Sequence, residues 1–450
     1  MNYLTNRHAR AIWKLGTPIM LGQMGVIMVG FVDNIMVGHY GTAELGAASF
    51  VNNFINLAFV LGMGFSYGLT PLVAGSYAVG DGRLKSLLKS STVANLVVGV
   101  LLTAVMGFFL WRLEWLGQPD ELAPLIVPYY TIQLLSILPM ALFNAYKQLV
   151  DGVEQTRISM RAILFSNVVN VGLNYFLIYG KLGLPELGLM GAGIATFVAR
   201  VLSLLILLYA VHGTKRFERI FEAAKSTSGS VSRAELKQLF GLGLPSGMQM
   251  GLESGAFSIA VIMIGWLGTV PLAAHQVANT LSTLGFMMYY GISSAVAIRV
   301  GHFFELKDRE GIRMSVRSGL AIHALLAVNL VVLLLIFRHD VGRIFVSDEA
   351  VVALSAQLCV ILCLYQPGDV LQILYSNALR GMRDVTFTAL AALFSYAVMT
   401  VLMGYVLGIR LGLGVVGVWL GFPIGLTTLG LLLLGRYRYV MNQHPEGCRR

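Results

Sequence analysis

Apolar runs of about 20 residues or more recur from residue 11 to residue 437, broken by short polar stretches that leave no room for a soluble domain. An apolar helix of roughly 20 residues crosses a bilayer. The pattern therefore predicts twelve spans, near 11–38, 45–77, 88–112, 124–150, 159–180, 189–212, 237–267, 272–302, 312–338, 352–379, 386–408 and 413–437. The first has full span length and contains Gly16 and Pro18, not a short apolar core before a cleavage site, so it reads as a helix and not as a signal peptide. The expected fold is an all-α polytopic membrane protein.

Composition agrees: 56% of residues are hydrophobic, 12% are charged, and 50 of the 450 are glycine. A formal net charge of +10 would suit a nucleic-acid partner, but the basic residues sort by side of the membrane. Of 32 Lys and Arg, 25 fall at loops and helix ends on the side shared by the two termini, Arg449 and Arg450 among them. Five fall on the opposite side, and Lys147 and Arg200 sit nearer helix interiors. By the positive-inside rule both termini are cytoplasmic, which requires an even number of spans. The surplus charge orients the chain and calls for no nucleic acid. Cys359, Cys363 and Cys448 are too few and too badly placed for a disulfide framework; the first two, one helical turn apart, read as packing residues and not as metal ligands.

The chain repeats itself. LGTP at 15–18 returns as LGLP at 242–245, and the same offset of 227 carries Gly41-Thr42 onto Gly268-Thr269, Asn52 onto Asn279, Gly64 onto Gly291 and Ser66 onto Ser293. Further on, Pro139 matches Pro367, Gly152 matches Gly381 and Gly191 matches Gly417. The expectation is two homologous six-helix lobes, residues 1–212 and 237–450, joined by a cytoplasmic linker, 213–236, with KSTSGS at its centre. Both halves start on the same side, so they are parallel repeats, and two such bundles facing a central cavity are the architecture of an alternating-access transporter. Pro18 and Pro245 each remove a backbone hydrogen bond inside the first helix of a half. They read equally as gating hinges and as static kinks.

Nineteen of the 22 Asp and Glu residues fall in loops or at helix ends, leaving Asp33, Glu253 and Asp369 deep in apolar spans. A charged carboxylate at the bilayer centre costs roughly 2.5 to 3.5 kcal/mol or more, so such residues face a bundle interior and are functional by default. At the repeat offset each acid meets a non-acidic partner, so each half carries its own chemistry. None has a basic neighbour in the core of its own span. An isolated buried carboxylate takes a proton or binds a cation, which is what an ion-coupled carrier needs. Tyr365 lies one turn before Asp369 on the same face and offers a hydroxyl or a ring. Asn170 and Asn174, four apart, with Thr196 in the next span, either hydrogen-bond between helices or line a cavity. Lys147 and Asp151, also four apart, read as a structural pair. Twenty methionines and 10% aromatic residues suit either a plastic apolar cavity or lipid-facing filler.

In these residues the sequence resembles the multidrug and toxic compound extrusion (MATE) family, in its NorM-like branch. The matching elements are Pro18 followed by VDNIMVGHYGTAELGAAS at 32–49, GLES at 251–254, AAHQVAN at 273–279, YQPGD at 365–369 and ALRGMRD at 378–384. Their order and spacing, over nearly the whole chain, carry the resemblance. It implies a bacterial inner-membrane antiporter, monomeric and without a cofactor, that expels cationic amphipathic drugs and dyes as Na⁺ or H⁺ moves inward. It implies further that Glu253 and Asp369 form the cation site, that Asp33 belongs to a polar cluster with Asn170 and Asn174, and that a further acid before the tenth span falls at Asp348. Na⁺ is favoured by this analogy, and H⁺ remains possible.

Two rivals differ in kind. An intramembrane aspartyl protease would need Gly where QPGD at 366–369 has Gln366. A lipid-linked precursor flippase would favour several basic residues in the interior. A P-loop and HExxH are absent from the sequence.

Overall fold

A computed structural model describes Tyr3 and residues 6–117, 120–183, 185–226 and 229–443. Cys448, Arg449, Arg450 and the central Thr227 and Ser228 of the linker lie outside the described residues. Among the described residues, twelve helices are long and apolar enough to cross a membrane: α1 (Arg7–Tyr40), α2 (Thr42–Val79), α3 (Leu84–Trp111), α4 (Ala123–Gly152), α5 (Thr156–Tyr179), α6 (Gly188–Gly213), α7 (Arg233–Gly265), α8 (Thr269–Glu305), α9 (Arg309–Phe345), α10 (Glu349–Gly381), α11 (Thr386–Arg410) and α12 (Gly414–Gln443). No strand occurs among the described residues. The protein is a multi-pass membrane protein.

Burial runs as a bilayer demands. On α9 the apolar side chains point outward, with Val328 and Ile336 each 62% exposed, while Ser315, Ser318 and His323 are buried. Lipid is as apolar as leucine, so close backbone approach and polar contacts, not burial from water, hold such helices together. The Lys147–Asp151 pair forms on α4 as its spacing predicts, at 2.7 Å, and Ser159 donates to the other Asp151 oxygen.

The chain packs as two compact units, residues 21–247 and residues 1–20 with 248–450. The boundaries fall inside α1 and α7, two residues after Pro18 and two after Pro245. Each unit is closed by a glycine crossing. In residues 21–247, a Cβ on Gly64 of α2 would lie 2.8 Å from the Gly247 Cα of α7. In the other unit, a Cβ on Gly291 of α8 would lie 2.5 Å from the Met20 Cα of α1. The repeat offset maps Gly64 onto Gly291 and Met20 onto Gly247, so the two crossings are the same feature built twice.

Between α6 and α7 a short amphipathic helix, Lys215–Ala223, buries Phe217, Ile220 and Phe221 and exposes its charges. Glu235, at the start of α7, is buried where it accepts the Ser86 and Ser90 hydroxyls at 2.7 and 2.9 Å and meets Arg83 at 3.5 Å. This network ties the linker region to the start of α3.

Candidate functional site

The unit containing residues 248–450 brings two of the three membrane acids together. Glu253 lies midway along α7 and Asp369 on α10, and one side chain that the sequence reading passed over joins them. Gln372 Nε2 donates to Glu253 Oε1 at 3.3 Å and to Asp369 Oδ1 at 3.2 Å. Asp369 and Gln372 are 2% and 1% exposed, and two acceptor oxygens here, Asp369 Oδ2 and Gln372 Oε1, meet no hydrogen-bond donor among the described residues. Buried acceptors are nearly always satisfied in folded proteins, so the arrangement fits a positive partner. Tyr365 does share this region, but its hydroxyl is engaged with Ser282 at 2.6 Å. Beside it, Tyr289 of α8 donates to Gln366 at 2.6 Å. Tyr396 faces Glu253 from α11, whose Ser395–Leu402 segment is a π-helix, a local widening that is frequent at functional sites.

In residues 21–247 the predicted polar cluster also assembles. Asn174 of α5 donates to Asp33 Oδ1 at 2.5 Å and to Asn170 Oδ1 at 3.3 Å, and Asn170 Nδ2 reaches Thr196 of α6 at 3.4 Å. With its amide turned over, Asn170 donates to Asp33 Oδ1 at 2.9 Å instead. The asparagine pair thus hydrogen-bonds to α1 and α6.

Arg200 is the residue sequence reasoning missed here. A search for counter-charges within Asp33's own helix could not find it, because it comes from α6, and each of the two groups feels the other's charge. The one available signal was that Arg200 and Lys147 alone sorted to neither side of the membrane. Asp348, by contrast, is a helix cap: its Oδ1 accepts from the Ala350 amide at 2.8 Å at the start of α10.

Carboxylates held in membrane-crossing helices, with polar partners drawn from several neighbouring helices, are the groups an ion-coupled carrier needs. A MatE family model matches twice, at residues 18–176 and 245–406, and the two matches begin at Pro18 and Pro245. The chain belongs to the MatE family of secondary transporters. It is 30% identical to the multidrug resistance protein NorM of Vibrio cholerae, over 98% of this chain and 97% of that one. It is 31% identical to a probable multidrug resistance protein NorM of Bradyrhizobium diazoefficiens, over 97% and 94%. Among solved structures, the eukaryotic MATE transporter AtDTX14 superposes with a TM-score of 0.87 at 18% identity, covering 99% of both chains. An outward-facing multidrug resistance MATE transporter superposes at 0.84 and 21% identity, covering 98% of both.

Proposed function

We propose that the protein is a multidrug antiporter of a bacterial inner membrane, with both termini cytoplasmic. It exports cationic amphipathic molecules by alternating access and is driven by inward movement of Na⁺ or H⁺. The observation that carries the coupling is the Gln372 amide shared between Glu253 and Asp369. Two ionised carboxylates this close in a membrane interior need a positive partner. A proton asks for one acceptor; a metal cation asks for several. The two donor-less oxygens, Asp369 Oδ2 and Gln372 Oε1, add to the carboxylate oxygens already present and favour Na⁺. In the other unit, Asp33 responds to the ion or proton gradient through its asparagine partners. The NorM relatives, named as multidrug resistance proteins, support the substrate class.

The test is efflux of a fluorescent cationic dye from proteoliposomes under an imposed Na⁺ gradient and, separately, an imposed pH gradient. Na⁺-driven efflux that is lost in Glu253→Gln and in Asp369→Asn meets the proposal. Proton-driven efflux alone moves the coupling to H⁺. The absence of efflux under both gradients refutes antiport and returns the flippase reading.

A further inference from the structure

The interior of the 21–247 unit is not purely acidic: besides Lys147, which is paired with Asp151, it holds Arg200. Arg200 Nη1 makes both of the side chain's hydrogen bonds, to Gln133 Oε1 at 2.9 Å and to Ser136 Oγ. Gln133 and Ser136 lie on α4 and are 3% and 0% exposed, so these acceptors are fixed. The flat face of the guanidinium rests on the Phe59 ring at 4.1 Å. A guanidinium carries five N–H groups in a rigid fork. Among the described residues, those of Nε and Nη2 meet no acceptor, and Arg200 itself is only half-buried. The Nε–Nη2 edge is the one that takes a carboxylate through two parallel hydrogen bonds.

Asp33 bears on this group electrostatically, yet no ion pair joins the two among the described residues. Its donors converge on Oδ1, leaving Oδ2 without one. One cluster therefore presents a fixed positive fork and, set apart from it, a carboxylate. At the offset that aligns Gly191 with Gly417, Arg200 falls on Leu426, a buried apolar residue. A membrane-embedded arginine is costly and is retained for what it binds.

Resting on the transport reading above, we propose that Arg200 is a substrate-recognition residue, and that this cluster takes zwitterionic substrates. The substrate's carboxylate would be held by the Nε–Nη2 edge of Arg200, and its cationic group would lie toward Asp33. Simple cations would use the same cluster without engaging Arg200.

Rhodamine B and its ethyl ester make the test, since they differ in whether a carboxylate is free. Binding of each is measured by fluorescence anisotropy on the purified full-length protein, for the wild type, Arg200→Gln and Arg200→Lys. The expected result is a loss of about tenfold or more in affinity for the free acid in Arg200→Gln, with the ester unchanged within twofold. Arg200→Lys is expected to recover only part of the loss, because an ammonium lacks the planar fork. Retained ester binding shows that the variant is folded. Equal losses for both dyes would make Arg200 a structural tie between α6 and α4 and overturn the proposal, as would unchanged binding of the acid. Normal Arg200-dependent binding without gradient-driven efflux would refute the antiport reading and leave the recognition result standing.

Discussion

Replacing Glu253 with glutamine removes one charge from the acid pair while keeping the side chain's shape, and the geometry fixes the size of the effect. The two carboxylate oxygens held by Gln372 Nε2, at 3.3 and 3.2 Å, lie no farther apart than those distances combined, about 6.5 Å. At an effective dielectric of about 20, unit charges at that separation interact by roughly 2.5 kcal/mol. A cation bound by Asp369 gains the same order of attraction from Glu253. Its loss corresponds to roughly sixtyfold in dissociation constant. Titration of Na⁺ into the purified protein, followed by calorimetry, should therefore show Glu253→Gln binding about sixtyfold more weakly than the wild type. Asp348→Asn serves as the control, since Asn also caps helices well and the residue stands in the α10 cap and not in the pair. A Glu253→Gln affinity within twofold of wild type would refute a shared cation site.

Other consequences follow from the same structure. Asp33→Asn is expected to abolish gradient-driven dye efflux while monodispersity and thermal stability in detergent stay at wild-type values; wild-type efflux would remove Asp33 from the mechanism. Lys147→Met strands the buried Asp151 carboxylate and should cost about 3–5 kcal/mol, read as a fall in melting temperature, with Lys147→Met/Asp151→Leu recovering much of it. Gly291→Ala places a Cβ within 2.5 Å of the Met20 backbone, so thermal stability should drop clearly, whereas Gly255→Ala, with open space at its Cβ, should be tolerated.

The helix order was legible because hydropathy reports directly on a bilayer. The third span, expected at 88–112, is Leu84–Trp111, and the eleventh, expected at 386–408, is Thr386–Arg410. Where boundaries moved, the helix outran the membrane signal: α9 continues through Arg338, Asp340 and Arg343 to Phe345, because charge ends an apolar run without ending a helix. The three membrane acids stood out for the same reason, and the asparagines of α5 were found through their spacing.

Other features were not legible. Gln372 binds both Glu253 and Asp369 only once the rotation of α7 against α10 is fixed. Arg200 reaches the Asp33 cluster from a different helix, and a rule restricted to one helix is blind to it. The π-helical register of α11 and the break of α2 at Tyr67–Gly68 leave no hydropathy trace. The packing boundaries inside α1 and α7 depend on contacts between residues as remote as Gly291 and Met20. Periodicity reveals which face of a helix is polar; it does not reveal which neighbour that face meets.

The central claim is that an ion held by Glu253 and Asp369 moves inward as substrate moves out. The most direct measurement follows radioactive sodium uptake and fluorescent dye release in the same proteoliposomes, with dye loaded inside and no other gradient present. The account predicts that dye release draws Na⁺ in, and that Glu253→Gln and Asp369→Asn abolish both fluxes together. Dye release at the wild-type rate in either variant, or wild-type release with no uptake of Na⁺, would contradict it.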